Sequence, residues 1–219
     1  MAHLKRQKIP KNWPIPRKGY TYAVRPNFNI NKGIPILIIL RDLLKMAQNR
    51  KEVKKAIHSN NILLNNKTIK DEKNNALLFD VITIVPSKEH YRFGLSRFGK
   101  FNLEEIKGRE INYKIAKIIN KKTLKNKKTQ LNLSDGRNFI SDLKCKVNDS
   151  VLINLKEKKI EGCLELKEKA RVIVFAGKHS GKKGVVEKID LQRKMVKINT
   201  DKIKKRINVL IKQLMVIEQ

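Results

Sequence analysis

A chain that carries 51 Lys and Arg against only 20 Asp and Glu must keep most of its charge on surfaces. The excess is +31 and the isoelectric point lies near 10.3. Cations at this density repel one another in a compact state, unless a polyanion accepts them. Nucleic acid suits, because its phosphates are closely spaced and release counterions on binding. An anionic membrane surface is the rival partner. An excess this large and this widely spread favours nucleic acid. Hydrophobic residues make up 40% of the 219, so real cores can form. Aromatic residues make up only 5%, too few for a protein built mainly on base stacking. RNA held by charge and shape fits better.

Apolar residues come in short runs. Residues 1–33 have no apolar periodicity and contain Pro10, Pro14, Pro16, Gly19, Pro26 and Gly33. They predict a basic, extended arm that orders only on binding. In it Trp13, Tyr20, Tyr22 and Phe28 alternate with Lys8, Lys11, Arg17, Lys18 and Arg25, after Lys5 and Arg6. Against RNA, rings can stack and cations can meet phosphate. From residue 34 to 85 the pattern changes. Ile36, Leu37, Leu40, Leu43, Leu44 and Ala47 predict a helix over 35–49, with Pro35 in the first turn. Arg41 and Lys45, four apart, should then share a face. A second helix over 51–58 sets Val53, Ala56 and Ile57 against Lys51, Lys54 and Lys55. Asn65-Asn66 predicts a tight hairpin, because Asn tolerates positive φ. Leu77 to Val85 reads as one strand with Asp80 near its middle.

Residues 86–168 hold short strand candidates at 91–95, 111–119, 129–133, 151–154 and 163–166, a pattern of a β-rich unit. Asn126-Lys127-Lys128, Ser134-Asp135-Gly136 and Val147-Asn148-Asp149 supply turn signals between them. Residues 169–219 read as a small barrel. Its strands are 171–175, 185–189 and 195–198, with 214–217 closing the sheet. The basic loop from Gly177 to Gly184 lies between the first two.

That loop is not a phosphate loop of the nucleotide-hydrolysing kind. Three residues, not four, separate Gly177 from Gly181, Lys183 stands where a hydroxyl should bind Mg²⁺, and a β-branched segment follows. Glycine backbone with Lys178, His179, Lys182 and Lys183 suits a polymer phosphate instead. His3, His58, His90 and His179 are scattered, and no pair has metal-ligand spacing. Cys145 and Cys163 fit no zinc motif and read as reduced, small apolar residues of a cytosolic protein. Glu104, Glu105, Glu165 and Glu168 read as surface charge partners rather than acid–base catalysts. Met1–Arg6 has no apolar segment, so no signal peptide is expected. Ile34–Leu40 is too short to span a bilayer. Two small β units after residue 85 leave no space for the catalytic domain of an RNA-modifying enzyme. A transcription or translation factor using the last unit would bind only transiently.

Ordered segments along nearly the whole chain resemble one family. They are His3-Leu4-Lys5-Arg6, Ile9–Ile15, Arg25-Pro26, Ile34–Asp42, Glu52-Val53-Lys54-Lys55, Phe79-Asp80-Val81-Ile82, Gln130–Asn138, Lys146–Ser150 and the loop of Gly177, Gly181 and Gly184. Together they are similar to the archaeal and eukaryotic small-subunit ribosomal protein S-four, e-type, and the loop resembles a KOW motif. The resemblance implies an α+β chain. A helical S-four-type RNA-binding module with a β-hairpin would occupy 34–85, a β-rich central domain 86–168, and a small SH3-like β-barrel with the KOW motif 169–219. It implies a structural and assembly role on small-subunit ribosomal RNA, in the ribosome and the cytoplasm, beside neighbouring small-subunit ribosomal proteins. No reaction, cofactor, small-molecule substrate or membrane is expected. The end soon after Ile217 resembles the shorter archaeal form. Asn65-Asn66 departs from an expected Asp-Gly-like pair.

Overall fold

The computed structural model describes residues 3–124, 128–201 and 206–218; the turn signal at Asn126-Lys127 lies outside them. Strands dominate. The chain divides into two compact units, residues 1–96 with 100–111 and residues 97–99 with 112–219.

In the first unit the arm is not a loose extension. Strand β1 (Leu4–Lys5) pairs antiparallel with β2 (Tyr22–Ala23), and Leu4, Ile9 and Trp13 are buried. The Trp13 indole N–H donates to the Ile30 carbonyl at 3.3 Å, and Arg17 donates to the Ile9 carbonyl at 2.9 Å. This corrects the expectation of an unanchored arm. Three separated apolar side chains are buried with no local periodicity to reveal it.

Strand β3 (Gly33–Pro35) leads into helix α1 (Ile36–Ile38), which widens into a π turn over Ile39–Leu43. Ile36 to Leu40 are all buried, so this helix is apolar all round and lies inside its unit. It stops short of residue 49: Lys45 has φ +55° and leaves the helix. Helix α2 (Arg50–His58) starts on a strong cap. The Asn49 carbonyl side chain accepts from the amides of Lys51 and Glu52, and the Glu52 carboxylate accepts from the Gln48 amide at 2.7 Å. Val53 and Ile57 face inward.

The sheet of this unit contains β4 (Ile62–Leu64), β5 (Lys67–Thr68), β7 (Val81–Ile84), β8 (Glu89–Leu95) and β9 (Phe101–Glu105), while β6 (Asn75–Leu77) pairs with β3. Its order is β5-β4-β7-β8-β9, all antiparallel. The expected strand 77–85 is broken. Phe79 takes φ +64°, and the Asp80 carboxylate accepts from the Leu77 amide at 2.7 Å, turning the chain between β6 and β7. The segment 91–95, expected in the central domain, pairs instead with β7, with Val81 opposite Arg92. The Asn65-Asn66 hairpin forms as expected, at φ +53° and +60°. Asn65 does more than turn. It is buried, donates to Asp80 at 2.9 Å and accepts from the Val81 amide at 3.0 Å.

The second unit holds two five-stranded antiparallel sheets. Strands β10 (Tyr113–Thr123), β11 (Thr129–Leu133), β12 (Asn138–Ile140), β13 (Ser150–Asn154) and β14 (Lys159–Leu164) are ordered β12-β11-β10-β13-β14. Ala116, Ile118, Leu131, Leu133, Val151 and Ile153 form their core with Cys145. Asp135-Gly136 makes the turn from β11, with Gly136 at φ +86°. The Asp135 carboxylate is buried against the Lys114 ammonium at 2.7 Å. Burial alone would push this carboxyl up, but Lys114 and the Arg137 amide hold it below the usual range. The second sheet comprises β15 (Arg171–Val174), β16 (Lys183–Asp190), β17 (Met195–Thr200), β18 (Arg206–Leu210) and β19 (Leu214–Glu218), in the order β18-β17-β16-β15-β19. Its core is a valine and isoleucine layer including Val172, Val186, Val196, Ile198 and Val216.

Two polar ties join these sheets. The buried Lys117 ammonium, on β10, donates to the carbonyls of Ile211 and Leu214, the latter at 2.8 Å. The Val216 amide donates to the Ser150 hydroxyl at 3.0 Å. Lys117 interrupts the apolar run Ile115–Ile118, which is the only trace of this contact in the sequence. Cys145 and Cys163 are free thiols, and burial followed by the neighbouring Cys145 thiol pushes Cys163 up.

Candidate nucleic-acid interface

Helix α2 offers the clearest cationic face. Its apolar stripe turns Val53 and Ile57 inward, so Lys51, Lys54, Lys55 and His58 project outward and are exposed. Their spacing of three and four places them along one side. A strong cap and a buried stripe fix the helix backbone from which these lysines project. Lys54 has one weak tether, the Glu72 carboxylate at 4.0 Å, which Arg50 holds at 3.0 Å through Nε. The other two cations expected here behave differently. Arg41 forks onto its own neighbour Asp42, at 2.9 and 3.3 Å. Lys45 is exposed but does not share a helical face with Arg41, because the helix has ended.

On the arm, Lys5, Lys8, Lys11, Lys18 and Arg25 are exposed. Arg6 is half-buried, and its Nε donates to the Pro16 carbonyl at 2.7 Å. Arg17 is exposed yet tied to Ile9. These two arginines fold the arm on itself and still present charge. Trp13 is only 2% exposed, so its ring cannot stack on a base as the sequence suggested. Tyr20, Tyr22 and Phe28 remain exposed.

Hydrogen bonds hold the loop between β15 and β16. Gly177 and Gly181 take φ +85° and +86°. The Ser180 amide donates to the Gly177 carbonyl, that of Gly181 to Val174, and that of Lys182 to His179. These three amides are taken up within the loop and by the end of β15. Gly184 serves a close approach: a side chain there would meet the Asn199 carbonyl oxygen at 2.2 Å. Lys178 and Lys183 are exposed. Lys182 and His179 are half-buried and meet each other at 3.2 Å. The exposed ammonium groups of Lys178 and Lys183 are the charge this loop presents.

One cationic spot escaped the sequence reading. On the second sheet of the second unit, Lys188 stands directly opposite Lys197 on the neighbouring strand, and both are exposed. Like charges in cross-strand register are unfavourable in the free protein. A phosphate between them reverses the sign. Only strand register, not spacing, brings them together, and a bulge between Val186 and Lys188 sets that register.

Glu104, Glu105, Glu165 and Glu168 are all exposed, and Glu105 and Glu165 pair with Lys107 and Lys167 at 3.3 and 3.9 Å. Among the described residues, no group of three or more His, Cys, Asp or Glu could hold a metal ion. No helix among them is long and apolar enough to cross a membrane.

Antiparallel sheets with few helices, carrying separate cationic faces, have the character of a nucleic-acid-binding protein. Residues 87–160 match the ribosomal family S4e, and residues 2–28 match the RS4NT (NUC023) domain. The small ribosomal subunit protein eS4 of Methanocella arvoryzae is 37% identical over 194 residues, covering 87% of this chain and 82% of its own. That of Methanothermobacter thermautotrophicus is 36% identical over 194 residues, covering 87% and 80%. The crystal structure of the 30S ribosomal protein S4e from Thermoplasma acidophilum superposes with a TM-score of 0.73 at 23% identity, covering 86% of this chain and 96% of that one. The chain belongs to the small ribosomal subunit protein eS4 family.

Proposed function

We propose that this protein is a structural constituent of the small ribosomal subunit, which binds ribosomal RNA and supports subunit assembly and translation. The observation that carries this is 37% identity to a small ribosomal subunit protein over most of both chains. Exposed lysine clusters on folded supports agree with it. In this reading the protein holds ribosomal RNA and neighbouring small-subunit proteins in the cytoplasm, with no reaction catalysed and no cofactor. Residues 34–85 act as the helical S-four-type module, with Lys51, Lys54 and Lys55 as its phosphate contacts. Residues 86–168 serve as the central domain. Residues 169–219 act as an SH3-like barrel whose KOW loop reaches phosphate through Lys178, Lys182 and Lys183. Lys5, Lys8, Lys11, Lys18 and Arg25 place the arm on RNA. The β15–β16 loop and the lysine-rich surfaces support this reading, while β8 and β9, which pair into the β5-β4-β7-β8-β9 sheet, carry the first module past residue 85.

The test is co-sedimentation of the tagged protein with small subunits through a high-salt wash. An integral subunit protein stays with the particle. A transient factor washes off, and that result would overturn the assignment.

A further inference from the structure

The β8–β9 hairpin ends in a tip that none of the assigned faces includes. The Ser96 amide donates to the Lys100 carbonyl at 2.7 Å, closing a loop of Arg97-Phe98-Gly99. Gly99 sits at φ +73°, the left-handed position that closes a three-residue hairpin loop. Below the loop the strands are anchored. Phe93, Leu95 and Phe101 are buried, and the rings of Phe93 and Phe101 stack at 4.8 Å. Phe98 is 90% exposed, the most exposed large hydrophobic side chain among the described residues. Arg97 and Lys100 flank it and are exposed. No acidic residue occurs between Ser96 and Phe101.

A single exposed apolar residue is common and by itself means nothing. This one differs in three respects. It is aromatic, it stands on a closed loop between packed strands, and the charge beside it is only positive. A ring held out in this way loses little conformational freedom on contact, and the flanking cations suit a phosphate on either side. A neighbouring protein pocket would also accept a phenyl ring, but two uncompensated cations at its rim favour a polyanion. We propose that Phe98 stacks on an unpaired base of single-stranded RNA, with Arg97 and Lys100 on the adjoining phosphates. The inference rests on the ribosomal reading and adds a base-stacking site to it.

The test uses the full chain and in vitro transcribed small-subunit ribosomal RNA from the same source. Phe98→Ala and Phe98→Leu should weaken binding by about tenfold to a hundredfold, the range for losing one stacked base. Phe98→Trp should bind as the parent does. The salt dependence of Phe98→Ala should match the parent, because no counterion release is lost, whereas Arg97→Gln/Lys100→Gln should flatten it. Base-directed chemical probing should show one short cluster of unpaired nucleotides protected by the parent and reactive with Phe98→Ala. Melting should be unchanged throughout, since the side chain touches little. Parental binding and probing by Phe98→Ala would overturn the inference alone. So would Phe98→Leu binding as tightly as Phe98→Trp, which marks an apolar pocket rather than a base. If the parent itself does not bind this RNA above a non-ribosomal control, the ribosomal reading falls and this inference falls with it.

Discussion

Lys117 and Asn65 show how much a single buried polar residue can govern. Burial lowers the Lys117 ammonium from 10.5 to about 8. Its folded-state value lies below its unfolded one, so between pH 8 and 10.5 the unfolded chain binds more protons. Stability from this residue therefore rises with pH across that window, and the cost of the buried charge is fully present below it. A shift of this size corresponds to a gain on the order of 3 kcal/mol. Denaturant melts at pH 7.5, 9 and 10 should show the rise, and Lys117→Met should remove it. A flat profile in the parent would mean that the ammonium is solvated. Asn65 makes a different prediction. Asn65→Ala takes the acceptor from the buried Val81 amide and one of several donors from Asp80, and keeps a positive φ, costing about 3 kcal/mol. Asn65→Gly relieves the backbone but not the lost bonds, so it should fall between parent and Asn65→Ala in urea midpoint. Equal losses for the two variants would remove φ from the account.

At the scale of elements, helix α2 separates stability from binding. Asn49→Ala removes the cap and should cost about 1 kcal/mol, with RNA affinity kept at temperatures where the chain is folded. Changing Lys51, Lys54 and Lys55 together to Gln should leave melting close to parental. The same change should lower the slope of log affinity against log salt by about 2 to 3, one phosphate contact per lysine. An unchanged slope would make this face a solvated one. The helix, its inward stripe and its lysines were legible because 3.6-residue periodicity is local. The Asn65-Asn66 and Asp135-Gly136 turns were legible because each needs positive φ at a residue that tolerates it. What escaped reading was non-local. Trp13 looked like a ring for stacking because its burial, and the Ile30 carbonyl that accepts its N–H, leave no local periodicity. Strand β8 looked like the start of a new domain because alternation does not say which neighbour a strand pairs with. Lys188 and Lys197 meet only through register, and Phe98 stands out only once its exposure is known.

For the molecule as a whole, the net charge of +31 sets the opposite sign of salt effects on folding and on binding. In the free protein, 51 Lys and Arg share 20 Asp and Glu, and compactness brings like charges together. Added salt shortens the screening length from about 30 Å at 0.01 M to about 8 Å at physiological strength, so it relieves this repulsion. The melting temperature should therefore climb with NaCl, by about 2–4 °C for each kcal/mol of repulsion removed in a chain this size. Sulfate would add a surface-exclusion effect, so chloride is the cleaner salt. Binding to RNA should weaken over the same salt range, because each counterion released into a saltier solution gains less entropy. The arm takes part in the first effect and not only the second. Trp13 is buried without RNA, so its fluorescence should be blue-shifted and shielded from quencher in the free protein, and should follow the same salt-dependent melt as circular dichroism. If Trp13 emission were solvent-like at temperatures where the strands are intact, the arm would be detached and the burial of Leu4, Ile9 and Trp13 would require RNA. If instead both probes melt together and shift upward together with NaCl, the arm is part of the folded unit that repulsion destabilises. Assembly then adds a polyanion to a surface already in place, and does not order the arm from a disordered start.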